Sequence, residues 1–326
     1  MTAMIMAKDG AMVVQLSKAF GGPRYLDKRT RLFVENWELE SYRKAISLAR
    51  KKGRLEGKLA VVTGGAQGFG QGIAETLAAE GATVVVADMN LAGAQAVAAG
   101  ICARQGSFTS FAVQVDVSNE KSVAAMMGQI VATCGGIDLF VSNAGVLRAG
   151  SVKTMALSDF DFVTRVNYTG YFLCVKHASA VMAAQNADGR GSLMDIVQVN
   201  SKSGLEGSNR NGAYAGGKFG AIGLTQSFAK ELVADRIKVN AVCPGNYFEG
   251  PLWSDEKTGL FKQYLDAGKV PGAKSIADVK KYYESLVPMG RGCMPEDVAR
   301  AIVYCVEQAY ETGQAIPVTG GQVMLS

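Results

Sequence analysis

The stretch Leu59-Ala60-Val61-Val62-Thr63-Gly64-Gly65-Ala66-Gln67-Gly68-Phe69-Gly70 decides the fold. Its first five residues read as a short buried strand, and glycines follow without a spacer. Helical spacing then takes over across residues 70–80. A strand that breaks on glycines into a helix lets the backbone approach a pyrophosphate closely, with the helix's free N–H groups and positive end facing the charge. Gly64, Gly68, Phe69 and Gly70 are therefore expected to bind a dinucleotide cofactor, although the spacing Gly64-x3-Gly68-x-Gly70 is not GxGxxG.

Working outward, short apolar runs at residues 59–63, 83–87, 111–115, 139–142, 194–199, 237–242 and 315–318 predict strands. Helical spacing at residues 70–80, 118–133, 158–184, 213–234 and 295–308 alternates with them. Strands without strict polar alternation, separated by helices, imply an α/β fold, a doubly wound parallel sheet of Rossmann type with helices on both faces. Ligands then belong at the C-terminal strand ends. Asp88 closes the second strand eighteen residues after Gly70. Its carboxylate can accept hydrogen bonds from ribose hydroxyls and would repel a 2′-phosphate, which predicts NAD rather than NADP. Asp116 and Val117 end the third strand, and Asn143, Ala144 and Gly145 the fourth, where a dinucleotide would lie.

After the fifth strand come Ser201-x-x-Gly204 and then Tyr214-x-x-x-Lys218. Residues four apart share a helix face, so the Lys218 ammonium is expected beneath the Tyr214 phenol, lowering its pKa toward the working pH. Tyr214 would then serve as general base in oxidation and general acid in reduction, while Ser201 polarises the reacting oxygen.

Residues 63–70, Asn143-Ala144-Gly145, Asn167, Ser201, Tyr214 and Lys218, with thirteen residues from Ser201 to Tyr214, resemble the short-chain dehydrogenase/reductase family over residues 57–326. The resemblance implies a catalytic set of Ser201, Tyr214, Lys218 and Asn167. It has Asn167 hold a water that links Lys218 to solvent, and it adds Tyr214, Lys218, Pro244 and Gly245 to the cofactor contacts. Gly170-Tyr171-Phe172-Leu173-Cys174, the run from Gln198 to Gly204, Arg291-Gly292-Cys293 and the ending Val318-Thr319-Gly320-Gly321-Gln322-Val323-Met324 resemble the branch that converts a hexitol phosphate to fructose 6-phosphate with reduction of NAD. An unphosphorylated polyol is the alternative substrate, and Lys202, Arg210, Arg148 and Lys257 are the cations open to a phosphate. A non-catalytic NAD-sensing or scaffold protein is the opposing class, and retention of Ser201, Tyr214 and Lys218 together argues against it. The chain departs from the family pattern at Ser142, in place of asparagine, and at Glu249, in place of a threonine that would donate to the cofactor. A carboxylate near a phosphate would be unfavourable there.

Of 326 residues, 48% are apolar and 19% charged, the balance of a globular protein. The net charge of +5 is uneven, at +6 over residues 1–57 and −1 over the rest, so the basic character belongs to an N-terminal extension with a helix-like run at residues 31–54. The cations Arg50, Lys51, Lys52 and Arg54 read as a solvated helix end, and neither nucleic acid nor membrane is expected as a partner. Absence of a long apolar run or a leader pattern predicts a cytoplasmic protein. Six scattered cysteines predict buried free thiols, no metal is expected, and the lone His177 reads as structural. The expected organisation is an extension at 1–57, an oligomerisation arm of a tetramer or dimer, and a Rossmann domain at 58–326. An insertion at 246–294, rich in aromatics, reads as the substrate loop.

Overall fold

The computed structural model describes residues 53–106, 109–187, 192–257, 259–266, 268 and 270–324. The expected helix at residues 31–54 and arm thus lie almost wholly outside the described residues. Residues 53–57 are the exception, and Arg54 corrects the expectation: it sits in a turn, not a helix end, and its guanidinium pairs with Glu80 at 2.5 Å. The neighbouring Leu55 is fully buried, which holds the turn against the body of the protein.

Seven parallel strands form one sheet in the order β3-β2-β1-β4-β5-β6-β7. They are β1 (Leu59–Thr63), β2 (Thr83–Asp88), β3 (Ser110–Gln114), β4 (Leu139–Ser142), β5 (Met194–Val199), β6 (Ile237–Pro244) and β7 (Ala315–Val318). Between them run α1 (Gly68–Ala79), α2 (Leu91–Gln105), α3 (Glu120–Cys134), α4 (Leu157–Thr164), α5 (Gly170–Gln185) and α6 (Gly212–Leu232). The period of two along each strand splits the core. Ala60, Val62, Val84 and Val86 face α1 and α2, whereas Val61 and Val85 face α3, α5 and α6. Each fully buried valine or leucine stabilises the fold by about 1.5–3 kcal/mol relative to an exposed one. Winding reverses between β1 and β4, so the crevice for a ligand opens at the C-terminal ends of those two strands.

The helix predicted at residues 158–184 runs through as expected but carries a π-bulge. Residues 158–184 form α4, a π-turn at Arg165–Thr169, and α5. The Asn167 side chain, anchored outside the helix, accompanies this bulge, and π-turns of this kind recur at functional sites.

The insertion is not a bare loop. It folds as α7 (Pro251–Ser254), α8 (Leu260–Asp266) and α9 (Ile276–Ser285) around a core of its own, with Phe248, Trp253, Phe261, Val270, Val279 and Val287 buried together. Trp253 alone makes ring contacts with Phe248, Phe261, Tyr264 and Tyr283 at 5.0–6.0 Å. At its roots, Gly245 N donates to Val318 O at 2.9 Å, Cys293 N to Asn246 O at 2.8 Å, and Met289 N to Gly320 O at 3.1 Å. The chain then enters α10 (Pro295–Glu307), whose C-terminal end is fastened to the sheet by buried Lys238. That ammonium binds the Cys305 carbonyl, the Gln308 carbonyl at 2.7 Å and Asp195 at 3.0 Å.

Among the described residues no helix is long and apolar enough to cross a membrane, and no group of three or more His, Cys, Asp or Glu side chains is placed to hold a metal. All six cysteines are free, five of them buried. His177 lies 3.4 Å from Glu120, between α5 and α3.

Candidate active site

The glycine turn joins β1 to α1 beneath the crevice. A side chain at Gly70 would place its Cβ 2.0 Å from the Gly64 carbonyl oxygen and 2.5 Å from Asn143 Nδ2, so only glycine lets the turn close. Gly68 has φ +60° and open space where a Cβ would stand. Gln67, which opens α1, makes no side-chain cap, and no acid occupies the first turn. Uncapped N–H groups, a positive helix end and an unfilled approach together fit a pyrophosphate.

Asp88 bends back over this turn. Its Oδ2 accepts from Ala66 N at 3.0 Å and its Oδ1 from Asn90 N at 2.8 Å. Each oxygen keeps a lone pair for a ribose hydroxyl. Asn90, not Asp88, caps α2, accepting from Gly93 N. Asp116 acts more locally. Its Oδ1 takes both the amide and the hydroxyl of Ser118, shaping the turn into α3, and Val117 is buried beside Gly170. Asn143 has a bracing part as well. Its Nδ2 donates to the carbonyls of Thr63 at 2.9 Å and Gly64 at 3.2 Å, so its side chain braces β4 against the glycine turn from within. Thr63, which spacing marks only as the end of a strand, completes this brace. Its Oγ1 accepts from Asn143 N and Ala144 N at 3.0 and 3.2 Å. Gly145 lies beside the Asn167 amide, and Pro244 and Gly245 close β6 on the far side of the crevice.

Ser201, Tyr214 and Lys218 come together past the end of β5. Ser201 opens a 3-10 turn (Lys202–Gly204), accepting from Ser203 N at 3.1 Å, and its side chain lies close enough to the Tyr214 phenol to lower that phenol's pKa. Lys218 is buried one helical turn after Tyr214, with its Nζ 5.6 Å from the centre of the phenol ring and donating to Val199 O at 2.9 Å. The electrostatics depart from expectation. Burial raises the Tyr214 pKa above that of an ordinary phenol, and Ser201, not Lys218, pulls it back. Lys218 itself is pushed down to about 8 by burial. The ammonium is aimed at a backbone carbonyl, so it steadies the phenol less than helix spacing alone suggests.

Asn167 faces the same corner, but both ends of its amide are taken by Val146. Oδ1 accepts from Val146 N and Nδ2 donates to Val146 O, each at 2.8 Å. Its side chain is therefore a fastening, and any water it holds would sit on its main chain.

Of the cations open to a phosphate, Lys202 lies 3.7 Å from Glu206, and Arg148 lies 3.9 Å from Asp159 and 5.3 Å from the centre of the Phe162 ring. Arg210 is exposed in the loop between Ser201 and Tyr214, at φ +57°, with its carbonyl held by Gly150 N at 2.8 Å. Glu249 does not bring an unpaired charge to the crevice. Lys280 of α9 binds its Oε1 at 2.5 Å, which ties the carboxylate to the insertion. Phe69 of the glycine turn stacks on Tyr247 with ring centres 4.9 Å apart, an aromatic link between turn and insertion that spacing does not signal.

A family model described as short chain dehydrogenase matches residues 58–256. Sorbitol-6-phosphate 2-dehydrogenase of Escherichia coli (strain K12) is 38% identical over 269 residues, covering 82% of this chain and 99% of the relative. The 3-oxoacyl-(acyl-carrier-protein) reductase FabG of Aquifex aeolicus (strain VF5) is 34% identical over 270 residues, covering 82% of this chain and 98% of that protein. Among solved structures, sorbitol-6-phosphate 2-dehydrogenase SrlD from Erwinia amylovora superposes with a TM-score of 0.74 at 37% identity, covering 82% of this chain and all of that one.

Proposed function

The chain belongs to the short-chain dehydrogenase family and is an oxidoreductase acting on CH–OH donors with a nicotinamide cofactor, and from that premise we propose that it is a NAD-dependent dehydrogenase interconverting sorbitol 6-phosphate and fructose 6-phosphate. The observation that carries the chemistry is the placing of Tyr214 and buried Lys218 one helical turn apart at the end of β5, where Asn200 ties the Ser201 turn to the same helix. In oxidation Tyr214 takes the hydroxyl proton of the substrate and Ser201 orients the oxygen. Lys218 sits beneath the Tyr214 ring, and the main chain at Asn167 offers the proton a route outward. When bound, the nicotinamide supplies the hydride acceptor and a positive ring that favours the phenolate.

NAD is favoured by Asp88 and by what surrounds it. Between Lys58 and Arg104 the sequence has no lysine or arginine, so the glycine turn, β2 and most of α2 lack a cation for a 2′-phosphate. The hexitol phosphate follows the activity named for the relative at 38% identity. One observation favours the second reading, an unphosphorylated polyol: Lys202 and Arg148 each already have a carboxylate nearby.

We also assign Phe160, Phe162, Phe172 and Phe219, all exposed on α4, α5 and α6, to contact with a second copy in a dimer or tetramer. The domain at 58–326, its substrate insertion at 246–294 and a cytoplasmic location belong to the same proposal.

The test is a panel of hexitols, hexitol phosphates and 3-oxoacyl thioesters, each with NAD(H) and NADP(H), on protein whose mass in solution is measured alongside. Turnover of sorbitol 6-phosphate with NAD at least tenfold above every other pairing is expected, from an oligomer. Preference for a free hexitol, a thioester or NADP would overturn the assignment, and a monomer would remove the second copy.

A further inference from the structure

We infer that Asn200 is a positioning residue for the reaction, one amide that sets the Ser201 turn against the helix carrying Tyr214 and Lys218. The inference rests on the proposed roles of those three residues. Asn200 is buried, and its side chain is fully engaged. Nδ2 donates to Gln198 Oε1 at 2.8 Å and to the Lys218 carbonyl at 3.0 Å, while Oδ1 accepts from Ser201 N at 2.8 Å. Its own N–H donates to Val242 O at 2.7 Å. Three elements thus meet on one residue: the end of β5, β6 beside it, and α6 at the turn that bears Lys218.

The geometry leaves little freedom. A Cβ on Gly204 would stand 2.2 Å from Asn200 Oδ1 and 3.1 Å from the Lys218 carbonyl, so the Ser201-x-x-Gly204 spacing makes the room that the amide fills. Rotating the amide would face N–H to the Ser201 N–H and an oxygen to two acceptors, so the orientation is fixed by its partners. Aspartate has the shape but no donors, and it would turn a carboxylate toward the Gln198 and Lys218 oxygens. Serine is too short to span all three. Asn200 reaches the chemistry only through its neighbours: a loosened joint lets the Ser201 hydroxyl drift from the Tyr214 phenol, and displacements near 1 Å cost as much as roughly 100-fold in rate.

The test uses the full chain with NAD and whichever alcohol the panel identifies. Asn200→Asp and Asn200→Ala are expected to lower kcat by about tenfold to 100-fold, with KM and the dissociation constant for NADH within about twofold. The rising limb of oxidation rate against pH should move alkaline, since Ser201 is the group that lowers the Tyr214 pKa. Asn200→Ser, which keeps a donor and an acceptor, should recover part of the loss. Should either variant fail to fold, Gly204→Ala presses the same joint from the other side and should give the same signature. An unmoved pH limb, or a fall in kcat that tracks melting temperature and NADH affinity, would overturn the inference. Activity surviving in Tyr214→Phe would instead sink the proposed site, whatever Asn200 does.

Discussion

The glycine turn and the catalytic corner lie at the same edge of one sheet, yet they are built by opposite means. At the turn, shape comes from missing side chains: Gly70 closes onto the Gly64 carbonyl, and the donors on offer are backbone N–H groups. At the corner, shape comes from buried polar side chains, with Lys218 fixed to Val199 O and Asn200 joining three elements. A turn made of backbone suits a ligand recognised by charge and shape. A corner made of side chains can hold two hydroxyls in register while keeping water at a distance. Binding and chemistry here therefore fail in different ways, which experiments can separate.

The largest expected effect falls on the corner. Tyr214→Phe removes the proton acceptor and should lower kcat by about 100-fold to 10,000-fold while NADH still binds, as read by steady-state rates and fluorescence titration. Activity within a few fold of the parent would end the contrast, since the corner would then carry no chemistry.

Next comes the stability that the corner gives up. Burial holds Lys218 at about 8 instead of 10.5, so keeping it charged at pH 7 costs the fold about 3 kcal/mol. Between pH 8 and 10.5 the folded lysine is neutral while the unfolded one keeps its proton, so this penalty fades as pH rises. Denaturant unfolding of Lys218→Met beside the parent should therefore show the variant's relative stability falling by about 3 kcal/mol from pH 7 to 10.5. A difference that stays flat with pH would mean that the ammonium is well solvated, and the contrast with the turn would narrow.

The smallest effect belongs to the turn. Gly70→Ala forces a methyl against backbone, an overpacking of about 1–3 kcal/mol, and should weaken NADH binding by roughly tenfold to 100-fold with little change in kcat at saturating cofactor. A larger fall in kcat than in affinity would show that the two corners are mechanically one.

This contrast also explains what the sequence disclosed. Spacing of glycines along one strand and turn is a local pattern, so β1 and the position of Asp88 were legible, while α1 starts two residues before its expected beginning at Gly70. The strands β4, β5 and β7 fall on their predicted residues, and β3 lies one residue earlier than its apolar run suggests. The π-bulge at Arg165–Thr169 was not legible, because Asn167 bonds Val146, twenty-one residues away. Ser201, Tyr214 and Lys218 announced themselves by interval. Gln198 and Asn200 look like ordinary strand-end polar residues until the fold brings Lys218 beside them. Aromatic residues of the insertion suggested a loop over the crevice, but their clustering around Trp253 into a small core depends on contacts from all three of its helices.

Both feet of that insertion are tied by main-chain bonds to the final strand and the residues just beyond it, through Val318 and Gly320, and one foot is tied to the other through Asn246. The canopy over the crevice is thus hung from the chain's own tail. With an aromatic centre to keep it whole, it stands as a single panel, and loosening the bonds at Val318 and Gly320 would release both of its feet together.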